Sequence, residues 1–287
     1  MIPVWSSDTI APTSTCAVVP LSDGAQLFCR ISGNGDPVLF LHGNRDNHTH
    51  FAELTSILDS AMTCVAVDLR GHGLSSKEDH PLSAVQCASD IIELLDHFGW
   101  GRVTVVGHSL GSVTAMLLAL DHPERVSRLV LMGSAAHYEM KWKRPEVTED
   151  TYRQVIEESN KRAAPFFFQP DHPGVSDRVI ASWSWVPFSV HRNLIRLIHP
   201  DLRERVAKID APTLVVAGSD DRSTPVDRAR FLADTIPDAE LTVLAGTGHF
   251  MFMERPEQVA SEIARFTGVS LGGTGCGGGC GCGHWSG

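Results

Sequence analysis

The chain has 287 residues, 43% hydrophobic and 20% charged, with 24 Lys and Arg against 34 Asp and Glu for a formal net charge of −10. That apolar content can bury a large core and excludes wholesale disorder. The acidic balance, relieved by no basic stretch denser than Lys141 to Arg144, excludes a nucleic-acid partner, which needs a basic surface to displace counterions.

Length alone predicts about two domains. Met1 to Pro20 carries no Lys or Arg and lacks the form of a secretory signal. No apolar run approaches the ~20 residues of a membrane helix. A cytoplasmic protein without a membrane partner is the expectation.

Ala17 to Leu21 and Gln26 to Ile31, separated by Ser22-Asp23-Gly24, read as a hairpin. Continuous apolar runs follow at Pro37 to Leu41, Cys64 to Val67, Val103 to Val106, Arg128 to Met132, Thr213 to Ala217 and Leu241 to Leu244. Runs apolar on both faces are what buried parallel strands require. Between them, Val85 to Phe98, Ser109 to about Leu120, Val226 to Thr235 and Pro256 to Phe266 show helical spacing. Gly99 closes the first, and prolines open the last two. The alternation predicts an α/β fold, with a mostly parallel central sheet flanked by helices and entered through the hairpin.

The alternation lapses between Ala135 and about Ile209, an aromatic-rich stretch with helical patterns and no strand. It reads as a helical insertion over the sheet. Some of its aromatics pack the inserted helices onto the core and others line a pocket. The expected organisation is a core of 1–134 and 208–270, a helical cap of 135–207, and a tail of 271–287.

Seven cysteines divide the same way. Cys16, Cys29, Cys64 and Cys87 lie in apolar surroundings and are expected as reduced core thiols. Cys276, Cys280 and Cys282 crowd into the tail, where nine of the last sixteen residues are Gly. Such glycine content loses too much backbone entropy to order alone. The bland reading is a flexible tail. Alternatives are a soft-metal tract built from those thiolates with His284, or a peptide segment that another enzyme modifies.

Gly107-His108-Ser109-Leu110-Gly111 directly follows an apolar strand and opens a helix. A sharp turn there presents a serine hydroxyl at a helix N-terminus, where developing negative charge is favoured. Serine alone is a weak nucleophile and needs a base with a group to orient it. Downstream, Gly218 to Pro225 and Gly246 to Phe250 each follow a strand, supplying Asp220, Asp221 and His249 at strand C-termini, where open parallel sheets place their sites.

With Leu41-His42-Gly43-Asn44, Asp68-Leu69-Arg70-Gly71-His72-Gly73-Leu74-Ser75, the serine motif, Gly218 to Pro225, and Gly248-His249 with Glu254 and Pro256, the chain resembles the α/β-hydrolase superfamily over nearly all of residues 17 to 268. The resemblance implies Ser109 as nucleophile, His249 as general base and Asp221 as the acid, with Asp220 its competitor. It also implies an oxyanion hole from the N–H groups of Asn44 and Leu110. Relatives such as dehalogenases and epoxide hydrolases carry Asp where Ser109 stands. Perhydrolases tend to have an aromatic after His-Gly and Met after the serine, unlike Asn44 and Leu110.

The polar run Asn44 to His48 reads either as substrate-binding or as solvated loop. Tyr138, Trp183, Trp185 and Phe250 are the candidate substrate-binding aromatics. The expectation is a serine hydrolase for an ester, thioester, lactone or amide of a small to medium, largely apolar molecule, using no cofactor and no metal in the body. A non-hydrolytic ligand-binding or tailoring protein on the same fold, with the tail as its metal or partner site, is the rival.

Overall fold

The computed structural model describes residues 14–77, 82–138, 147–167, 169, 172–184, 186–194 and 199–271. Among them, β1 (Thr15–Pro20), β2 (Gln26–Ser32), β3 (Pro37–Leu41), β4 (Thr63–Asp68), β5 (Val103–His108), β6 (Val126–Met132), β7 (Thr213–Gly218) and β8 (Ala239–Leu244) form one sheet. Its order is β1-β2-β4-β3-β5-β6-β7-β8. β2 pairs antiparallel with both β1 and β4, and every pairing from β4 through β3 to β8 is parallel.

Alternate residues of the central strands feed opposite faces of the sheet. Leu39, Val105, Leu129 and Val215 join one hydrophobic cluster, while Phe40, Val106, Val130 and Val216 join the other. Burial on both faces explains why these runs are apolar without alternation. Edge strand β1 is largely exposed. Cys16 therefore departs from the sequence expectation: it faces solvent from β1, whereas Cys29, Cys64 and Cys87 are buried free thiols.

The helices are α1 (Ala52–Leu58), α2 (Ala84–His97), α3 (Leu110–Asp121), α4 (Tyr152–Phe167), α5 (Pro173–Ser184), α6 (Phe188–Leu194), α7 (Val226–Thr235), α8 (Met251–Glu254) and α9 (Pro256–Thr267). Ser83 caps α2 by accepting from the Gln86 N–H. Nearly all of α3 is buried, because it lies against β3, β5, β6 and α2. α4, α5 and α6 occupy the interval between β6 and β7 where the inserted helices were expected. No helix of the described residues is long and apolar enough to cross a membrane. Trp185 and the tail residues Cys276, Cys280, Cys282 and His284 lie outside the described residues.

Candidate active site

The chain turns from β5 into α3 at Ser109, whose φ of 51° and ψ of −111° lie outside the region side chains favour. Holding a serine there costs roughly 1–3 kcal/mol. The flanking glycines make the turn possible. A Cβ on Gly107 would lie 2.5 Å from the Gly111 carbonyl oxygen, and one on Gly111 would lie 1.9 Å from that of Leu41. Strand, turn and helix approach too closely for any side chain. The Ser109 N–H donates to Met132 O at 3.1 Å, which pins the turn to β6.

Asp221 follows β7 and His249 follows β8, and the two meet beside that turn. His249 Nδ1 lies 2.7 Å from Asp221 Oδ2. A carboxylate only accepts, so Nδ1 carries the proton and Nε2 of the neutral ring is left as a base. Asp221 Oδ1 accepts the Ser223 and Thr224 N–H groups at 2.8 and 2.9 Å. The Thr224 hydroxyl donates to Oδ2 at 2.6 Å. Burial alone would push Asp221 up, but the imidazole beside it and these donors hold it below the usual carboxylate range.

Asp220, the competing acid, is exposed. With Asp221, Gln169, Ser219, Arg222 and Pro225 it lines an open depression of about 610 Å³. That depression reaches neither Ser109 nor His249. The imidazole is held through its backbone as well: its N–H donates to Phe167 O at 2.9 Å, and its carbonyl accepts from His108 Nε2 at 3.1 Å. Among the described residues no hydrogen bond joins Ser109 Oγ to His249 Nε2.

A family model described as the alpha/beta hydrolase family matches residues 38–262, a span that takes in the serine turn, the acid loop and the histidine. The chain belongs to the alpha/beta hydrolase family. It is 27% identical over 258 residues to the 2-hydroxy-6-oxo-6-(2'-aminophenyl)hexa-2,4-dienoic acid hydrolase of Metapseudomonas resinovorans, covering 82% of this chain and 85% of that one. It is 30% identical over 237 residues to the poly(3-hydroxyalkanoate) depolymerase of Ectopseudomonas oleovorans, covering 80% and 83%. Among solved structures, Est816, described as an N-acyl homoserine lactone degrading enzyme, superposes with a TM-score of 0.77. Its identity is 28%, over 87% of this chain and 100% of that one.

Within this hydrolase, Asn44 follows the β3 terminus and Leu110 is the first residue of α3. The Gly111 contact with Leu41 brings those two segments together beside Ser109. N–H groups of a first helical turn, that of Leu110 among them, have no intrahelical acceptor. Tyr138 sits over the turn, its hydroxyl donating to Ser109 O at 3.5 Å. Trp183 and Phe250 are only 2% and 1% exposed. Their rings pack with each other and with Phe167 and His108, and so form a layer behind His249 more than an open wall. No group of three or more His, Cys, Asp or Glu side chains among the described residues could hold a metal ion.

Sequence reasoning missed Thr224, Asp46 and the link from His108 to the His249 loop. For Thr224 a signal existed. Asp followed by a hydroxyl residue at i+3 is the pattern of an Asx-type turn, in which the carboxylate collects nearby N–H groups. For Asp46 and His108 the partners lie 137 and 141 residues away in sequence, and no local pattern announces them.

Proposed function

We propose that this protein is a serine hydrolase in which Ser109, His249 and Asp221 act as a catalytic triad. The observation that carries the reading is the conjunction of a serine in a strained strand-to-helix turn with a buried His249–Asp221 pair at 2.7 Å. Ser109 Oγ attacks a carboxylic carbon while His249 Nε2 takes its proton. Asp221 holds the ring in the required tautomer and stabilises its cationic form. The N–H groups of Asn44 and Leu110 receive the oxyanion. The imidazolium then protonates the leaving group, and water releases the acyl group by the reverse sequence, with no cofactor in any step.

The substrate class proposed is an ester, thioester, lactone or amide of a small to medium, largely apolar molecule. Relatives named as a dienoic acid hydrolase, a polyester depolymerase and a lactone-degrading enzyme support acyl or related carbonyl chemistry. Helices α4 to α6, as a cap over residues 135–207, would set which acyl groups enter, with Tyr138 as a candidate contact.

The test is a fluorophosphonate probe read by intact mass. One adduct is expected on the wild-type chain, and none on Ser109→Ala or His249→Ala. Equal labelling of all three chains overturns the triad. Without a triad, a non-hydrolytic ligand-binding protein becomes the better account.

A further inference from the structure

Of the five polar residues from Asn44 to His48, three serve the fold itself. Asp46, 2% exposed, accepts the indole N–H of Trp183 from α5 at 2.8 Å. Asn47 accepts the Thr49 N–H at 2.9 Å, and His48 Nδ1 lies 2.9 Å from Asp68 Oδ1. Arg45 differs from them in its backbone. The Asp46 N–H donates to Gly43 O at 3.2 Å, closing a four-residue turn in which Arg45 takes the third position at a φ of 68°. Among the described residues, Ser109 alone of the other non-glycine residues has a positive φ. Such third positions suit Gly or Asn, and a longer side chain is held there at a conformational cost.

The contacts of the side chain show what holds it. Nη1 donates to Asn160 Oδ1 on α4 at 2.9 Å, and the guanidinium carbon lies 4.2 Å from the centre of the Trp183 ring on α5. Asn160 and Trp183 are 1% and 2% exposed. A charged donor on a buried acceptor and a cation over a buried indole are the strong forms of both interactions. Asn160 Nδ2 in turn donates to Ser184 Oγ of α5 at 3.4 Å. One arginine therefore fastens the turn after β3 to two inserted helices.

Turns with and without a positive φ at the third position differ by a half-rotation of the peptide between the two central residues, here Asn44 and Arg45. That rotation exchanges the directions of a C=O and an N–H next to Asn44, whose own N–H is the proposed oxyanion donor.

We propose that Arg45 is a positioning residue for the oxyanion hole: anchored on Asn160 and Trp183, it holds the strained turn that places the Asn44 N–H. The proposal deepens the reading of Asn44 as an oxyanion donor and rests on it. Arg45 acts through its neighbour and not on the reacting atoms. A complete oxyanion hole then requires α4 and α5 to be seated.

The experiment compares the full chain as wild type, Arg45→Asn, Asn160→Leu and the double variant. kcat and KM are measured on p-nitrophenyl butyrate. Ki is measured for 1,1,1-trifluorohexan-2-one, a ketone whose adduct with a nucleophilic serine carries the oxyanion. Arg45→Asn accepts the positive φ but is too short to reach α4. It is expected to lower kcat and raise Ki about tenfold each, with KM within about twofold of wild type, the scale of a donor misplaced and not lost. Unchanged kcat and Ki, or a change in KM alone, overturns the positioning role.

Asn160→Leu cuts the same tie from the other side. It is expected to lower kcat by itself, and by less than about twofold in the Arg45→Asn background. No effect of Asn160→Leu alone, or effects that multiply in the double variant, overturns the link to α4. Arg45 is half-buried in a loop, so the Arg45→Asn result decides the proposal even where Asn160→Leu does not fold. Should the fluorophosphonate probe label no serine, the catalytic reading fails by itself, and the attachment is read from amide hydrogen exchange in residues 43–51. Faster exchange there in Arg45→Asn supports the attachment, and an unchanged rate overturns it.

Discussion

Thr224 shows how much of the site rests on a residue that takes no part in the chemistry. Its hydroxyl and its backbone N–H both donate to Asp221, one to each carboxylate oxygen, and its Oγ1 lies 3.3 Å from His249 Nδ1. Removing a hydrogen bond to a charged group costs about 1.5–3 kcal/mol. Thr224→Val should therefore lower kcat on an activated ester by about tenfold or more. Thr224→Ser should restore kcat, and a kcat unchanged in Thr224→Val would make the threonine a packing residue only. Asp221 itself was what the family resemblance implied, through Gly218, Asp221 and Pro225. Its advantage over Asp220 came from burial, since only one of two adjacent carboxylates can face inward from the same turn.

At the scale of elements, the strands and the long helices were readable because each carries its own periodicity. α2, α3, α7 and α9 begin and end within a residue or two of the expected limits. The short helices α1 and α8 were not anticipated. Seven and four residues respectively are too few to show a period, and both are held by packing: Leu54 and Leu58 of α1 share a cluster with Phe252 of α8.

Elements are also fastened by pairs that only the fold brings together. Arg70, in the turn after β4, reaches Asp90 of α2 through two hydrogen bonds of 2.8 and 2.7 Å, and both side chains are 1% exposed. Asp90→Ala would leave the guanidinium with the half-exposed Asp23 carboxylate, 2.8 Å from its Nη2, in place of a fully buried partner. It should destabilise the chain, read as a lowered urea midpoint. The paired change Asp90→Leu with Arg70→Met should recover most of that loss, whereas no recovery would place the cost in packing.

For the whole molecule, the buried titratable groups set a direction of pH dependence. Burial holds the His42 and His72 imidazoles below the usual value of 6.5, with His72 at about 3. Asp68 and Asp221 are held below 3.8, burial being outweighed by their histidine partners. In both cases the unfolded chain binds more protons than the folded one as the solution is acidified. The histidine contribution is fully present above pH 6.5 and declines as pH falls below it. Each such histidine takes away up to about 1.4 kcal/mol per pH unit. The carboxylate contribution begins to fall only near 3.8. Urea midpoints at pH 7.5, 6 and 5 should fall in that order, and a midpoint that is flat or rises on acidification contradicts the neutral buried histidines.

By itself the sequence determined the α/β class, the parallel strands and the places where serine, acid and histidine leave the sheet. These follow from local hydrophobic runs, glycines demanded by close backbone approach and short motifs, each contained within about ten residues. Only the tertiary structure decided that Cys16 faces solvent, and that Trp183 and Phe250 pack behind the histidine. It alone revealed that Asp46 is a buried tie. These outcomes depend on which groups arrive from more than a hundred residues away and on what burial does to a charge once they do. A linear pattern carries neither quantity.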